Sequence, residues 1–328
     1  MANSVLFKSV NQRTLVMGFS TVLFGTAAAT VVGNEEFLPA FLCVLFALFF
    51  QMAFNLRHRY HDFIYGFGES VNDELEQNNS SNIPTRVVLR EGSTASFIVA
   101  LTIGLGILSF AGWWVLVLGL LLGLLAWINY LGSHQLTRTP FGLLVTFLLF
   151  GPVGVIGTMM VQIMSGFNNG SVSIHHITLY EVLPSFFFGV IAGLMAVNCH
   201  LAFSAETVEN DTLNGKKTFT VKYGEIGAEM LYILDGILIL TLFIVMQLIG
   251  ELAHRWFVLI VPIIVSLSYF VIWKKVHGKI GLKGYRLLEN YTLGAMLVTA
   301  IWVLLFYVIF GVPDKSDVLY FGYHFALI

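Results

Sequence analysis

Long apolar segments alternate with short polar ones along almost the whole chain. Nine of the apolar segments are long enough to cross about 30 Å of hydrocarbon as α-helices. They lie at about residues 14–32, 36–56, 94–111, 112–132, 141–164, 178–203, 229–249, 256–273 and 290–311. The pattern predicts an all-α integral membrane protein, with nine transmembrane helices in a single domain over residues 1–328. An alternative interpretation makes the third and fourth segments one hairpin, broken around Gly112.

Basic residues predict how this bundle is oriented. With the N-terminus inside, fifteen of the seventeen Lys and Arg residues fall on the inner side of the membrane, and the other two are Arg255 and Lys315. Such an excess of basic residues is typical of the cytoplasmic side of a membrane protein. The asymmetry predicts a cytoplasmic N-terminus, and it supports an odd number of spans because a miscount would mix the two sides.

Composition agrees with a membrane protein and says little about partners. The chain is 57% hydrophobic and 11% charged, with a mean hydropathy of +0.82, whereas a soluble domain is about 25% charged. Cys43 and Cys199 both lie in or beside apolar segments, so no disulfide framework is indicated. The net charge of −2 identifies no partner, and we expect contact with membrane lipid and none with nucleic acid.

A cluster of polar residues stands at the end of the second apolar segment. Asn55, Arg59 and Asp62 are spaced i, i+4 and i+7, so a helix brings them to one face, with His58 and His61 beside them. Ionisable groups at the end of a lipid-embedded helix normally face a cavity or a partner. We therefore expect this face to line a site at the cytoplasmic mouth of the bundle.

A second polar cluster follows the sixth apolar segment, on the same predicted side of the membrane. It contains Glu206, Glu209 and Asp211, followed by the basic pair Lys216 and Lys217. Acidic groups from two helix ends suit Mg²⁺, which prefers oxygen ligands and bridges to substrate phosphate. Nearby basic residues suit the remaining phosphate oxygens. The alternative is that both clusters are ordinary solvated loop charges, which contribute little.

Three short motifs resemble those of the UbiA superfamily of intramembrane aromatic prenyltransferases. The motifs are Asn55-x6-Asp62, Pro84-Thr85-Arg86, and Asp211-x3-Gly215-Lys216-Lys217-Thr218. Within that superfamily, the chain is most similar to the 1,4-dihydroxy-2-naphthoate polyprenyltransferases of menaquinone biosynthesis. The resemblance implies a helical bundle around a central cavity in a bacterial cytoplasmic membrane. It also implies Mg²⁺ as cofactor, and transfer of a polyprenyl group from its diphosphate to a small aromatic acceptor.

The same resemblance implies roles for particular residues. Asp62 and Asp211 would be catalytic, and together with Glu209 they would hold Mg²⁺. Substrate would be bound by Asn55, Arg59, Arg86, Lys216 and Lys217.

Both aspartate motifs depart from the family pattern. The family's Asn-Asp pair in the first motif falls here on His58 and Arg59, and the first aspartate of the second motif falls on Thr207. In one interpretation Arg59 replaces a metal ion and contacts the diphosphate directly. In the other, the chain is a catalytically degenerate paralogue that binds isoprenoid lipid or associates with an active prenyltransferase as a scaffold. A transporter is a third possibility, but it would need several charged residues along the middle of the membrane. In the predicted spans Asp235 alone is such a residue.

Overall fold

The computed structural model describes residues 9–10, 12–32, 36–64, 84–130, 135–168, 179–248, 256–276 and 282–310. These residues form eleven α-helices. The helices are α1 Gln12–Val31, α2 Phe37–Ile64, α3 Thr85–Ala111, α4 Trp114–Tyr130, α5 Gly142–Leu148, α6 Gly154–Asn168, α7 Leu179–Glu206, α8 Val208–Leu213, α9 Phe219–Leu248, α10 Ile260–Val276 and α11 Leu282–Phe310. The prediction of an all-α protein is confirmed for this part of the chain.

Seven of the described helical segments are long and apolar enough to cross a membrane. They are Gln12–Val31, Phe37–Ile64, Thr85–Ala111, Gly142–Gly166, Ser185–Glu206, Phe219–Leu248 and Arg286–Phe310. The fourth and eighth predicted spans correspond to shorter apolar helices, Trp114–Asn129 and Phe257–Trp273. The chain is therefore a multi-pass membrane protein, while the count of nine spans and the cytoplasmic N-terminus stay predictions. Gly112, at φ +77°, separates α3 from α4, so the third and fourth segments are two helices.

The outer helices present large apolar side chains to their surroundings. Leu101 and Leu105 of α3, Leu120 of α4, and Ile264 and Leu267 of α10 are each more than half exposed. A soluble protein rarely exposes an apolar surface of this extent. These faces suit contact with lipid.

Helix α1 lies at the centre of the bundle and packs against α2, α6, α7 and α11. Its consecutive alanines Ala27, Ala28 and Ala29 are fully buried. Small side chains let neighbouring helices approach closely where no hydrophobic force drives them together. The central position of α1 brings its N-terminal residues, Arg13 and Thr14, beside the polar end of the bundle.

A break between α5 and α6 shapes the middle of the bundle. Gly151 leaves the helical conformation (φ −103°, ψ −111°) and Pro152 follows it. The N–H of Gly154 bonds to the carbonyl of Gly151, and the carbonyl of Phe150 instead accepts a 2.8 Å hydrogen bond from the Thr21 hydroxyl. Buried backbone groups in lipid need such partners. The break thereby holds Phe150 beside α1.

Candidate functional site

A cavity of about 160 Å³ lies at the end of the bundle where α2 and α7 end, and we call it the polar cavity. Residues of α1, α2, α5, α7, α8 and α11 line it, together with the break after α5 and the connections that precede α5 and α9. Helix α2 runs to Ile64 and α7 to Glu206, beyond the predicted apolar ends at residues 56 and 203. These extensions bring the two polar clusters to the cavity.

One wall of the polar cavity is the face of α2 predicted from helical spacing. Asn55, Arg59 and Asp62 all line the cavity. Asp62 is buried, and its Oδ1 accepts a 2.8 Å hydrogen bond from Nη2 of Arg138. Its Oδ2 lies 3.5 Å from Nε2 of His58. A buried carboxylate needs such partners because desolvation of an isolated charge is costly.

Asn55 connects this wall to the central helix. Its side-chain oxygen accepts a 3.1 Å hydrogen bond from Gln51, and its Nδ2 donates a 2.7 Å hydrogen bond to the Thr14 hydroxyl of α1. The side chain is buried. Asn55 therefore fixes the position of α2 relative to α1 at the level of the site.

Arg59 is partly buried in the same wall and has a different environment. Asp62 is the acid with which it interacts electrostatically. Among the residues that the structure describes, Arg59 makes no hydrogen bond and no ion pair within 4 Å. Since a guanidinium carries five N–H donors, this side chain can bind an anion without giving up a protein partner.

The opposite wall is built around Asp211 by a helix C-terminal motif. Gly215, at φ +67°, follows α8 in the left-handed conformation that glycine adopts readily. The turn directs the N–H of Lys216 to the carbonyl of Asp211 at 2.9 Å. The ammonium of Lys216 is also 2.9 Å from Oδ1 of Asp211, and the Thr207 hydroxyl donates to Oδ2 at 3.0 Å.

The two connections that bear Arg138 and Lys216 meet at the cavity. The backbone N–H of Lys217 donates a 2.9 Å hydrogen bond to the carbonyl of Arg138. Each aspartate thus faces the same cavity with a basic side chain bound to it, and the basic side chains come from connected segments. Four basic side chains line the cavity (Arg13, Arg59, Arg138 and Lys216), against three acidic ones (Asp62, Asp211 and Glu289).

Several residues predicted for the site lie outside this lining. Glu209, Arg86 and Lys217 are exposed and do not line the cavity, so their assigned roles stay predictions. Glu206 contacts Arg13 and Arg286. Residues 65–83, which follow the first polar cluster in the sequence, fall outside the described residues.

Sequence reasoning did not assign a site role to three charged residues of the lining: Arg13, Arg138 and Glu289. Arg13 and Arg138 were counted only as inner-side basic residues. Glu289 comes directly before the last predicted apolar segment, and it is 1% exposed. An acid at the end of an apolar segment was the signal that identified Asp62, and the same rule could have identified Glu289.

A second and larger cavity of about 760 Å³ lies between α2, α3, α4 and α6, and we call it the apolar cavity. Side chains such as Phe46, Phe50, Leu101 and Leu118 line it. Phe150, beside the helix break, lines both cavities. An amphiphile with an anionic head and a long apolar tail fits this pair of adjoining spaces.

The donor set of the polar cavity suits one Mg²⁺. Mg²⁺ is usually bound by one or two carboxylates plus substrate phosphates and water, and Asp62 and Asp211 face the same cavity. Within the described ranges, no group of three or more His, Cys, Asp or Glu side chains is placed to hold a metal by itself. Phosphate oxygens of a substrate would therefore complete the coordination.

Three curated relatives of the chain share one name, 1,4-dihydroxy-2-naphthoate octaprenyltransferase. The protein from Bacillus subtilis is 27% identical over 227 residues, covering 68% of this chain and 67% of that one. The Mycobacterium tuberculosis protein is 25% identical, covering 67% and 70%. The Escherichia coli protein is 23% identical over 310 residues, covering 90% and 93%. No protein-family model matches the sequence.

Solved structures share the fold. A UbiA homologue from Aeropyrum pernix superposes with a TM-score of 0.58 at 13% identity, covering 89% of this chain and 97% of that one. A digeranylgeranylglyceryl phosphate synthase superposes with a TM-score of 0.50 at 16% identity, covering 90% and 99%. At such identities the likeness concerns the fold alone.

Proposed function

The chain belongs to the UbiA superfamily of intramembrane prenyltransferases, and from that premise we propose that it transfers a polyprenyl group from polyprenyl diphosphate to a small aromatic acceptor. We further propose 1,4-dihydroxy-2-naphthoate as the acceptor, in the synthesis of (demethyl)menaquinone. The relatives' shared name supports this acceptor.

The observation that carries the proposal is that one residue, Phe150, lines both a polar and an apolar cavity. The polar cavity offers several cations to a diphosphate, and the apolar cavity offers about 760 Å³ to a prenyl chain. Because the surrounding lipid is itself apolar, moving the tail from the membrane into this cavity gains little hydrophobic free energy. The cavity therefore accommodates the tail, while the charged groups hold the reacting end.

The proposed roles follow from the contacts of the lining residues. Arg59, with donors that no described residue uses, and Lys216 would bind the diphosphate. Asp62 and Asp211 would hold Mg²⁺, which when bound neutralises charge on the departing diphosphate. Arg138 and Lys216 would turn from the aspartates to the phosphate oxygens as donor and metal arrive. Three exposed residues would contact the donor as it enters: Arg86, Lys217 and Glu209.

The proposed reaction is an alkylation of an aromatic ring. The allylic carbon–oxygen bond of the donor breaks, diphosphate leaves, and a ring carbon of the acceptor bonds to the allylic carbon. That ring carbon then loses its proton, or its carboxylate as CO₂, which restores the aromatic ring. Positive charge concentrated around the leaving group favours this ionisation, because preorganised charges act strongly in a site that excludes water. Asn55, bound to both Gln51 and Thr14, keeps the α2 wall rigid during the step.

We place the protein in a bacterial cytoplasmic membrane, with nine spans and the polar cavity on the cytoplasmic side. The distribution of basic residues supports this orientation. A periplasm-active reporter fused after Phe310 is expected to be active. A reporter active only in the cytoplasm would contradict the topology. Association with a paralogous prenyltransferase stays a prediction.

The decisive experiment is turnover by the purified protein. The protein in nanodiscs is incubated with Mg²⁺, farnesyl diphosphate or octaprenyl diphosphate, and 1,4-dihydroxy-2-naphthoate or 4-hydroxybenzoate. We expect prenylated naphthoquinol, detected by mass spectrometry, and no product with EDTA. Product from 4-hydroxybenzoate alone would overturn the acceptor, and no product from any pair would overturn the function.

A further inference from the structure

Two histidine side chains line the polar cavity in the described part of the chain, His58 and His200. His58 is engaged with Asp62, whose Oδ2 lies 3.5 Å from its Nε2. His200 of α7 is held through its other nitrogen, since Nδ1 lies 3.5 Å from the Thr146 hydroxyl of α5. Among the residues that the structure describes, Nε2 of His200 makes no hydrogen bond, and that atom is not enclosed by protein. A ligand in the cavity can therefore reach it.

The contact with Thr146 leaves Nε2 able to accept a proton. In a neutral imidazole one nitrogen carries the proton and the other accepts a hydrogen bond. In the tautomer with the proton on Nδ1, that nitrogen donates to the Thr146 oxygen, and the lone pair of Nε2 is left for a ligand. Asp211 is the charged residue with which the ring interacts electrostatically. A nearby carboxylate favours an imidazole that takes up a proton.

The neighbours of His200 place it near the reacting end of a donor. Thr146 comes four positions before Phe150, which lines both cavities, and α7 packs against α5 and against the break that follows it. A donor with its diphosphate in the polar cavity and its tail in the apolar cavity has its allylic carbon at the level of Phe150. Phe203, three positions beyond His200 on the same face of α7, also lines the polar cavity. Two aromatic side chains near the imidazole suit a flat acceptor ring.

We propose that His200 is the base that takes the hydroxyl proton of the aromatic acceptor. This inference rests on the proposed function, since it assigns a residue to the second substrate of the same reaction. Nε2 first accepts a hydrogen bond from the ring hydroxyl, which orients the ring towards the allylic carbon. A neutral imidazole does this without repelling a carboxylate on the acceptor.

The proton transfer is coupled to formation of the new carbon–carbon bond. As the O–H bond breaks, the proton moves to Nε2 and the electron pair of the bond passes into the ring. A ring carbon then bonds to the allylic carbon, and diphosphate leaves with the electron pair of the broken C–O bond. That ring carbon next loses its proton to the diphosphate, or its carboxylate as CO₂. The electron pair so released returns to the ring oxygen, which recovers the proton from Nε2.

The test compares His200→Ala and His200→Gln with the matched control Cys199→Ala. Cys199 precedes His200 on the same helix and lines the same cavity, and alanine there changes only a small side chain. For each protein in nanodiscs with Mg²⁺, kcat and KM are measured with farnesyl diphosphate and 1,4-dihydroxy-2-naphthoate, with and without added imidazole. Donor affinity is measured by calorimetric titration, and the thermal unfolding midpoint on the same samples.

We expect His200→Ala and His200→Gln each to lower kcat by about a hundredfold or more, because general base catalysis typically contributes about 10²–10⁴-fold. Donor affinity and the unfolding midpoint should stay close to native, and Cys199→Ala should match the unsubstituted protein. His200→Gln keeps a hydrogen-bond acceptor and should retain the native KM for the acceptor. Added imidazole should raise the turnover of His200→Ala, where it can occupy the vacated space, and not that of His200→Gln.

A kcat of His200→Gln close to the native value would overturn the inference, because glutamine can orient a hydroxyl but cannot take its proton. So would a loss of donor affinity as large as the loss of turnover, or the same losses in Cys199→Ala, since either would show a distorted α7. If His200→Ala does not fold, His200→Gln decides by the same criteria. A native protein that makes no product fails the proposed function itself, whereas native turnover with unaffected His200 variants refutes this inference alone.

Discussion

Replacement of Arg59 by alanine is expected to weaken binding of the diphosphate donor without lowering stability. Arg59 lines the polar cavity, and within the described residues no hydrogen bond or close ion pair is lost with it. The free energy lost is then that of the contact with substrate. A hydrogen bond to a charged group contributes about 1.5–3 kcal/mol, which corresponds to about tenfold to 150-fold in affinity.

Arg138 provides the contrast that makes this expectation specific. Arg138→Ala removes the 2.8 Å partner of the buried Asp62. Breaking a buried ion pair by removal of one partner costs about 3–5 kcal/mol, and this is an upper bound here because the Arg138 side chain is 19% exposed. Arg138→Ala should therefore lower both donor affinity and the unfolding midpoint, whereas Arg59→Ala should lower affinity alone.

Calorimetric titration with farnesyl diphosphate at physiological ionic strength measures the affinity, and a thermal unfolding scan in the same detergent measures stability. Arg57→Ala is the matched control, because Arg57 is exposed beside the ring of Tyr60 and lies outside the cavity lining. An unchanged affinity in Arg59→Ala would refute the reasoning. So would an equal loss in Arg57→Ala, which would indicate long-range attraction instead of contact.

Three further predictions test other parts of the structure. Asp62→Asn and Asp211→Asn should each lower Mg²⁺-dependent turnover by about a hundredfold or more, because a metal clamp contributes several kcal/mol. If turnover by these variants depended on the Mg²⁺ concentration as it does in the native protein, the assignment of these two residues as ligands would be wrong. Gly151→Ala should cost about 1–3 kcal/mol, since its Cβ would lie 2.6 Å from a backbone oxygen. Gly106→Ala, with nothing within 4 Å, should not lower the unfolding midpoint and should raise it slightly, because alanine favours a helix more than glycine does. Ala47→Trp should fill part of the apolar cavity and shift product towards shorter prenyl chains in mass spectra, and an unaltered product distribution would argue against a tail in that cavity.

The sequence predicts those features of this protein that depend on local spacing. Apolar length located the helices, and the i, i+4, i+7 spacing correctly grouped Asn55, Arg59 and Asp62 on one face. Asp211 was assigned to the same site because both clusters follow apolar segments on one predicted side of the membrane. These inferences need only the helical repeat and the cost of placing charge in lipid.

Other features of the site depend on contacts between distant segments, which periodicity does not encode. Arg13 and Glu206 are 193 positions apart and meet because α1 packs against α7. Glu209 is only two positions from Asp211, yet the six-residue helix α8 turns it outwards. A short helix separates neighbouring side chains by about 100° per residue. Proximity in sequence therefore did not imply a shared site.

The broken helix beside the cavities has a consequence for how this sequence can change over evolutionary time. The hydroxyl of Thr21 supplies the hydrogen bond that the carbonyl of Phe150 cannot obtain across the Gly151-Pro152 break. If the Thr21 hydroxyl alone is lost, the buried carbonyl of Phe150 has no hydrogen-bond donor. If the helix alone becomes regular, that carbonyl no longer needs the hydroxyl. Thr21 and Pro152 are therefore expected to covary among homologues, although they lie in different parts of the chain. In a homologue in which α5 and α6 form one regular helix, Phe150 would also lie in a different place. The boundary between the space for the head group and the space for its tail would move with it.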